Sequence, residues 1–395
     1  MKNFKKLSAL VLAGAMVFSL AACGGGSSET PAPETTTPAE TAPAETASAT
    51  DMKVAMITDY GDITDQSFNQ TTYEACNEFC TANSVEFTYY KPAGDSTAER
   101  VAMVDAAVAE GYNVVVMPGY AFAETIKETA EMYPDVTFIA LDVGEGDLGA
   151  DYTVPSNVYC AVYQEELCGY MAGYAAVKLG YTHLGFLGGM AVPAVQRYGY
   201  GFVQGADAAA AELGNGADVT VEYVYGNQFF GDADITAYMD NWYQTQGVEV
   251  VFACGGGIYT SAAEAAAKVG GKVIGVDVDQ AAIIDAYGEG MTVTSAMKGL
   301  ANTTKHLLQE VMDGNFANYG GQIETLGLVS GDDSTANYVQ LPMESTQWSD
   351  TFTQDDYKAL VAGMYDGTIT VSNDVSVAAA DYATVITVNE YGNIK

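Results

Sequence analysis

The chain has 395 residues and carries 51 acidic against 15 basic side chains, for a formal net charge of −36. A protein this acidic repels phosphate backbones and anionic membrane surfaces, which argues against nucleic acid as a partner and favours neutral or cationic ligands. Because it has only two histidines, the sequence excludes a histidine-rich metal site and disfavours a Ser-His-Asp catalytic device. We expect no metal and no cofactor.

The amino terminus has the pattern of an export signal that ends in a lipid attachment site. Three of the first six residues are lysines, a mostly apolar stretch covers 7–22, and Leu-Ala-Ala-Cys occupies 20–23. This apolar stretch is too short for the usual membrane span, and the small residues before Cys23 suit signal cleavage. We predict a signal peptide over 1–22 and lipidation of Cys23, which places the mature protein on the extracytoplasmic face of the cell membrane, held only by its lipid. The alternative is a transmembrane helix with an incidental cysteine.

A low-complexity segment follows the cysteine. Residues 24–50 are Gly, Ser, Thr, Pro, Ala and Glu throughout, with no apolar periodicity. Such a composition cannot bury enough apolar surface to offset the loss of conformational entropy. We predict that 23–51 contains the lipidated cysteine and a disordered spacer that separates the membrane from the folded part.

The remaining residues, 52–395, suit two hydrophobic cores better than one. Short apolar runs alternate with helical patterns, which is typical of parallel sheets with crossover helices, and the series repeats once with a changeover near 155–163. We predict an α/β fold of two doubly wound lobes, the first over 52–158 plus about 296–325 and the second over 159–295 plus about 326–395. The predicted strands are 54–59, 85–91, 113–119, 137–143, 184–189, 219–226, 248–255 and 273–277. The predicted helices are 68–82, 99–110, 121–132, 165–179, 195–213, 261–269 and 299–312.

Three of the predicted strands have an aspartate as their last or next-to-last residue, namely Asp59, Asp142 and Asp277. In open parallel sheets, ligands bind at the carboxyl ends of the strands. Each aspartate alone could be the N-cap of the next helix, but three of them, divided between two lobes, favour a polar ligand. A carboxylate accepts two hydrogen bonds, so it suits a vicinal diol such as that of a ribose or a pyranose. A glycosidase acid and base pair is the alternative.

Three glycines at 255–257 stand at the end of another predicted strand. They lack the Lys-Ser/Thr ending of a phosphate-binding loop. A tight turn with a close backbone approach is the favoured interpretation, with Gly256 as the candidate ligand-binding position.

Five cysteines remain beyond Cys23, an odd number whose spacings fit no zinc site. Their neighbours are apolar, so buried free thiols are favoured, and one or two disulfides are the alternative in an exported protein. These residues are Cys76, Cys80, Cys160, Cys168 and Cys254.

Segments in four regions resemble, in order, the signatures of one known family. They are MITDYGDITDQSFNQ at 56–70, QEELCGYMAGYAA at 164–176 with LGFLGGM at 184–190, IGVDVDQ at 274–280, and TSAMK at 294–298. The family is the basic membrane protein group of lipoproteins, which includes the purine nucleoside receptor A type of ABC-transporter binding protein.

The resemblance implies a type I periplasmic-binding-protein fold with a hinge and an interlobe cleft, a permease as partner, and a nucleoside ligand that is bound without chemistry. We also expect a monomer. Carried over position by position, it assigns Phe68 to stacking on the base and a second aromatic, Phe230 or Phe229, to the opposite face. A sugar or autoinducer receptor of the same fold and a nucleoside hydrolase are the alternatives. The other cleft residues it implies are Asp59, Asn69, Asp142, Asp277 and Lys298.

Overall fold

The computed structural model describes residues 51–395. The predicted signal peptide, Cys23 and the spacer up to residue 50 lie outside the described residues. Within 51–395, no helix is both long enough and apolar enough to cross a bilayer. The strands of this part are β1 Lys53–Ile57, β2 Glu86–Tyr90, β3 Val114–Pro118, β4 Thr137–Leu141, β5 Val158–Tyr163, β6 His183–Gly188, β7 Thr220–Tyr225, β8 Val250–Cys254, β9 Lys272–Asp277, β10 Thr292–Lys298, β11 Gln322–Leu326, β12 Val339–Gln340 and β13 Thr387–Asn393. Its α-helices are α1 Phe68–Asn83, α2 Thr97–Ala109, α3 Ala123–Thr129, α4 Glu145–Leu148, α5 Glu165–Lys178, α6 Pro193–Leu213, α7 Ala233–Asp240, α8 Tyr259–Ala267, α9 Ala281–Ile284, α10 Leu300–Met312 and α11 Gln354–Tyr365.

Two sheets organise these elements. The first has the order β11-β5-β4-β3-β1-β2 and is parallel throughout. The second has the order β12-β10-β9-β8-β6-β7-β13 and is parallel except for β12, which runs antiparallel to β10. The predicted α/β class with two parallel-sheet lobes is confirmed. Every strand and helix predicted from the sequence is present, with ends shifted by no more than three residues.

The strand β10 was not predicted, because Thr292, Thr294, Ser295 and Lys298 interrupt its apolar pattern. Six of its seven residues are nevertheless buried. The lobe boundaries also differ from the predicted ones, because neither β5 nor β10 was among the predicted strands. Strand β5 pairs with β4 and β11 in the first sheet, so the chain leaves the first lobe after Tyr163 and not at 158. Strand β10 belongs to the second sheet up to its last residue, so the chain returns at Gly299 and not near 296.

The three connections between the lobes run side by side. The backbone N–H of Gln164 donates to the carbonyl of Leu326 at 2.9 Å. That of Gly299 donates to the carbonyl of Tyr338 at 2.7 Å, and that of Tyr338 to Gly327 at 3.0 Å. Adjacent crossings of this kind form a hinge, in which a few residues change their backbone angles when two lobes open or close.

Helices α5 and α6 pack so closely that only glycine fits at their contact. A Cβ atom on Gly201 would lie 2.0 Å from the carbonyl oxygen of Glu166, and one on Gly173 would lie 2.0 Å from that of Phe202. The two backbones therefore hold each other in register. This contact fixes the first turns of both helices, which carry charged side chains toward the space between the lobes.

The chain after α11 folds back along α6 and is held there by Asp207. Its carboxylate accepts hydrogen bonds from the backbone N–H groups of Thr384, Val385 and Ile386 at 2.8, 2.8 and 3.2 Å, and from the Thr384 hydroxyl at 2.6 Å. These bonds anchor the segment that continues into β13 at the edge of the second sheet. Burial acts to raise the pKa of Asp207, but the four donors outweigh it and hold this pKa below its usual value.

Replacing Asp207 by Ala should lower the free energy of unfolding by about 2 kcal/mol at pH 7, since hydrogen bonds to a charged group contribute roughly 1.5–3 kcal/mol. Because the folded-state pKa is depressed, this stability is present above the unfolded value of about 3.9 and is lost as the pH falls through the folded value. Urea unfolding at pH 7 and pH 3 measures both effects, with the exposed Asp218→Ala as control. Equal stability of the Asp207 variant and the parent at pH 7 would show that the segment is not anchored by this carboxylate.

Candidate ligand-binding site

A cavity of about 640 Å³ lies between the carboxyl ends of the strands of the two sheets. Small-molecule sites usually have volumes of about 300–1,000 Å³. Its walls are the loops that follow β1, β3 and β4 of the first sheet and β6, β7, β8 and β9 of the second, together with the end of β10. All eight ligand-binding residues predicted from the sequence line this cavity: Asp59, Phe68, Asn69, Asp142, Phe230, Gly256, Asp277 and Lys298.

Asp59, two residues beyond β1, presents one oxygen to the protein and leaves the other free. Its Oδ1 accepts hydrogen bonds from the backbone N–H groups of Tyr60 and Gly61 at 2.6 and 2.7 Å and from Nδ2 of Asn69 at 3.2 Å. Its Oδ2 accepts no hydrogen bond from the described residues. Burial raises the pKa of Asp59, and the donors to Oδ1 only partly counter this.

The start of α1 is supported by Asp65 and not by Asp59. Asp65 accepts hydrogen bonds from the backbone N–H groups of Ser67, Asn69 and Gln70 at 2.9, 3.0 and 3.0 Å. Asn69 donates its Nδ2 to both aspartates, whereas its Oδ1 is buried and has no partner among the described residues. The capping role that the sequence allowed for Asp59 is thus filled by another residue.

Asp142 and Asp277 occupy corresponding places in the two lobes, after β4 and at the end of β9. Both have a left-handed backbone, with φ of 59° and 64°. This conformation is uncommon for residues other than glycine and is concentrated at functional sites. Asp277 accepts hydrogen bonds from the Ser67 hydroxyl at 2.5 Å and the Tyr198 hydroxyl at 3.5 Å. Oδ1 of Asp142 is buried and has no partner within 51–395.

Lys298 lies at the centre of a buried group of carboxylates, with only 3% of its side chain exposed. Its Nζ lies 2.6 Å from Oδ2 of Asp142, 3.5 Å from Oε1 of Glu165 and 3.7 Å from Oδ1 of Asp277. Burial acts to lower the pKa of Lys298, but the carboxylates outweigh it and raise this pKa. Burial also raises the pKa of Asp142 to about 6, with Lys298 opposing the shift and Glu165 adding to it.

Aromatic rings line the cavity from both lobes. Phe68 is half-buried, with the Lys298 Nζ 4.7 Å from its ring centroid. From the second lobe, the ring of Phe229 lies 6.4 Å from that of Tyr60, with an interplanar angle of 36°. Phe230 is 58% exposed. The sequence did not decide between Phe229 and Phe230 as the second stacking residue, and in the structure Phe229 is the more buried of the two.

Gly256 is required for its backbone conformation and for space. It has φ of 51°, and a Cβ atom there would lie 2.7 Å from the carbonyl oxygen of Phe229. The neighbouring Gly255 has φ of 142°, and a Cβ atom there would lie 2.8 Å from the Phe229 ring. The tight turn predicted for 255–257 therefore seats Phe229 against the wall of the cavity.

Several contacts join the two lobes across the cavity. Besides Ser67 with Asp277, Nε2 of Gln280 donates to the carbonyl of Gln66 at 3.0 Å. The hydroxyl of Tyr60 lies 3.4 Å from the sulfur of Met190 in the second lobe. The lobes therefore contact each other at the rim of the site.

Glu165 and Arg197 also belong to the site, although the sequence did not single them out. Glu165, the first residue of α5, is fully buried and uses Oε2 to accept a hydrogen bond from Nε of Arg197 at 2.7 Å. Its other oxygen faces Lys298. Glu165 stands inside a segment that resembles the family, but no spacing rule reveals that one buried carboxylate pairs with two distant cations.

No group of three or more potential metal-binding side chains is found in the described part of the chain. The five cysteines at 76, 80, 160, 168 and 254 are buried and unpaired. Burial raises the pKa of the Cys254 thiol, which lines the cavity. This thiol is therefore protonated and a weak nucleophile near neutral pH.

The family model described as ABC transporter substrate-binding protein PnrA-like, the Bmp family, matches residues 52–335. The chain belongs to this family. The resemblance noted in the sequence is thereby confirmed. The prediction that the chain is a substrate-binding protein and not an enzyme is confirmed as well.

Members of the Bmp family and of the wider fold are similar over most of the chain. The nucleoside-binding protein BmpA of Lactococcus lactis is 27% identical over 300 residues, 71% of this chain and 80% of that protein. Basic membrane protein B of Borreliella burgdorferi is 25% identical over 72% of this chain and 80% of its own. The ABC transporter solute-binding protein structure from Aeropyrum pernix has a TM-score of 0.61 at 22% identity, covering 81% of this chain and 87% of its own. One from Conexibacter woesei has a TM-score of 0.62 at 22% identity, covering 82% and 99%.

Proposed function

We propose that this protein binds a purine ribonucleoside in the interlobe cavity and delivers it, as a monomer, to an ABC permease in the membrane. The observation that carries the proposal is a carboxylate oxygen of the cavity wall that has no donor within 51–395, Asp59 Oδ2. Unlike Asn69 Oδ1 and Asp142 Oδ1, it is not among the fully buried atoms, so a ligand can reach it. A hydrogen bond to a charged group contributes roughly 1.5–3 kcal/mol, so a ligand hydroxyl or amino group that donates to this oxygen stabilises the complex.

The remaining walls fit a flat, uncharged ring. Phe68 and Phe229 reach the cavity from opposite lobes, and aromatic rings favour stacking on planar ligands. Seven carboxylates and three cations line the cavity, so a phosphorylated ligand would meet a net negative charge. The name of the Lactococcus lactis relative, a nucleoside-binding protein, supports the same ligand class.

A thermal-shift screen of nucleosides, free bases and sugars tests the proposal. A ligand at about a hundred times its dissociation constant adds about 2.7 kcal/mol of apparent stability, so purine nucleosides should raise the melting temperature while bases and sugars raise it less. If sugars alone stabilise the protein, the alternative of a sugar receptor replaces the nucleoside proposal. Steady release of free base from a nucleoside, in proportion to protein, would instead support a hydrolase.

Attachment through a lipid on Cys23, at the extracytoplasmic face of the membrane, is part of the proposal. Replacing Cys23 by Ser should abolish incorporation of a radiolabelled fatty acid while leaving a folded, ligand-binding domain, because the lipid is the only anchor proposed. Labelling of cells that express each form measures this. A Cys23→Ser protein that takes up as much label as the parent would exclude this residue as the attachment point.

A further inference from the structure

Arg197 lies in the wall of the cavity with most of its hydrogen-bonding capacity unused. It belongs to the second turn of α6, and 18% of its side chain is exposed. Of the five N–H groups of a guanidinium, only the one on Nε has a partner among the described residues, Glu165 at 2.7 Å. The terminal nitrogens Nη1 and Nη2 are also absent from the buried atoms that lack a partner, so they are open to the cavity.

The orientation of this guanidinium is fixed from behind. Glu165 is fully buried at the start of α5, and Glu166 Oε2 lies 4.0 Å from Nε on the same side. The close contact of α5 with α6 holds the two helices in place, so the plane of the guanidinium is set before a ligand arrives. A planar donor in a fixed position suits an acceptor pair on a flat ligand.

The charges around Arg197 determine which acceptor it can take. Its own charge is balanced by Glu165, and that of Lys298 by Asp142 and Asp277. Further carboxylates, Asp147 among them, line the same cavity, so there is no surplus positive charge for a phosphate or carboxylate ligand. The open N–H groups are therefore suited to uncharged oxygen or nitrogen atoms.

We propose that Arg197, oriented by Glu165, is a specificity-determining residue that donates hydrogen bonds to an uncharged acceptor on the ligand. This inference rests on the proposed function and deepens it. Two parts of a nucleoside supply such acceptors. One is the carbonyl oxygen and N7 edge of a 6-oxopurine, an acceptor pair that arginine binds in a bidentate manner. The other is a ribose hydroxyl.

The test is calorimetric titration of the parent protein and of Arg197→Gln and Arg197→Lys with guanosine, inosine, adenosine and the 2′-, 3′- and 5′-deoxy forms of guanosine. Both variants should bind guanosine about ten- to a hundred-fold more weakly than the parent, the effect of hydrogen bonds to a charged group. Lysine keeps the charge but loses the fork of donors, so it should not restore binding.

The analogues identify the acceptor. If Arg197 binds the base carbonyl, the parent prefers guanosine and inosine to adenosine, whose amino group is a donor, and the variants lose this preference. If it binds a hydroxyl, the penalty of the variants disappears for the one deoxy form that lacks it. Lys178→Gln is the matched control, since Lys178 has the same 18% side-chain exposure and also joins α5 to α6, through Glu212, but does not line the cavity.

Other outcomes overturn the inference. A specific contact is excluded if the variants bind every nucleoside with the affinity of the parent. It is also excluded if their affinity for every nucleoside and deoxy form falls by the same factor, as a general distortion of the site would cause. A parent that prefers guanosine 5′-monophosphate to guanosine, with the preference lost in Arg197→Gln, would make this an anion site. A parent that binds no nucleoside contradicts the proposed function and, with it, this inference. Circular dichroism shows whether each variant is folded. If Arg197→Gln does not fold, the affinities of Arg197→Lys test the inference.

Discussion

Replacing Lys298 by Met should lower the free energy of unfolding by about 3–5 kcal/mol at pH 7.5, because it leaves buried carboxylates without their cation. In the parent, the ammonium lies within 3.7 Å of Asp142, Glu165 and Asp277, which come from both lobes and from the start of α5. Methionine fills a similar volume but offers no compensating charge. Besides lowering the free energy of unfolding, the substitution should therefore weaken the attraction between the two lobes.

The pH dependence of this loss has a definite sign. The pKa of Asp142 is about 6 with Lys298 in place, above its unfolded value of about 3.9, and it should rise further without the lysine. A carboxyl whose pKa is raised by folding destabilises the protein above the folded-state pKa, and this cost disappears as the pH falls below the unfolded value. The deficit of Lys298→Met should thus be small near pH 4 and should grow as the pH rises above about 6, until the pH passes the higher folded-state pKa of Asp142 in the variant.

Urea unfolding of both proteins at several pH values measures this, with Lys305→Met as control. Lys305 is 41% exposed and pairs with Glu78 at the surface, so its loss should cost less than about 1 kcal/mol. A Lys298→Met protein within about 1 kcal/mol of the parent at pH 7.5 would show that the carboxylates do not depend on this lysine.

The second large effect concerns Asp59. Replacing it by Asn keeps an oxygen that can accept from Tyr60, Gly61 and Asn69, but it puts an NH₂ group where Oδ2 was free. An amide nitrogen cannot accept a hydrogen bond from a ligand hydroxyl. We expect the purine ribonucleoside to bind about ten- to a hundred-fold more weakly, and the gap between it and the deoxynucleoside that lacks this hydroxyl to narrow.

Two comparisons separate this effect from general damage. Phe68→Ala should weaken the ribonucleoside and deoxynucleoside by about the same factor, because it removes a stacking face and no acceptor. Asp279→Asn should change neither affinity, since Asp279 is exposed and does not line the cavity. Calorimetry on each variant gives the ratios. If Asp59→Asn binds both ligands as the parent does, the free oxygen has no part in recognition.

The sequence was sufficient to find the edge of each sheet where ligands bind, because parallel strands end together and Asp59, Asp142 and Asp277 stand at those ends. It could not show which of these three aspartates keeps an oxygen free for a ligand. In the structure both oxygens of Asp277 face other side chains, whereas Asp59 keeps one oxygen free, a difference that depends on Ser67 and Tyr198 far away in the chain.

Two other features were beyond sequence reasoning for physical reasons. The choice between Phe229 and Phe230 depends on which ring the turn at 255–257 covers, which is a matter of backbone angles. The contribution of Arg197 depends on its pairing with a buried glutamate on the neighbouring helix. An arginine in an amphipathic pattern otherwise indicates only a solvated surface.

The most direct test of the central claim is calorimetric titration of the unmodified protein with a purine ribonucleoside, its 2′-deoxy form and the free base. The proposed site predicts saturable binding of one ribonucleoside per chain, at least about ten times tighter than the deoxynucleoside, with the free base weaker than either. The absence of saturable heat with every purine nucleoside, or equal affinity for the ribose and deoxyribose forms, would contradict a ribonucleoside site built on the free oxygen of Asp59.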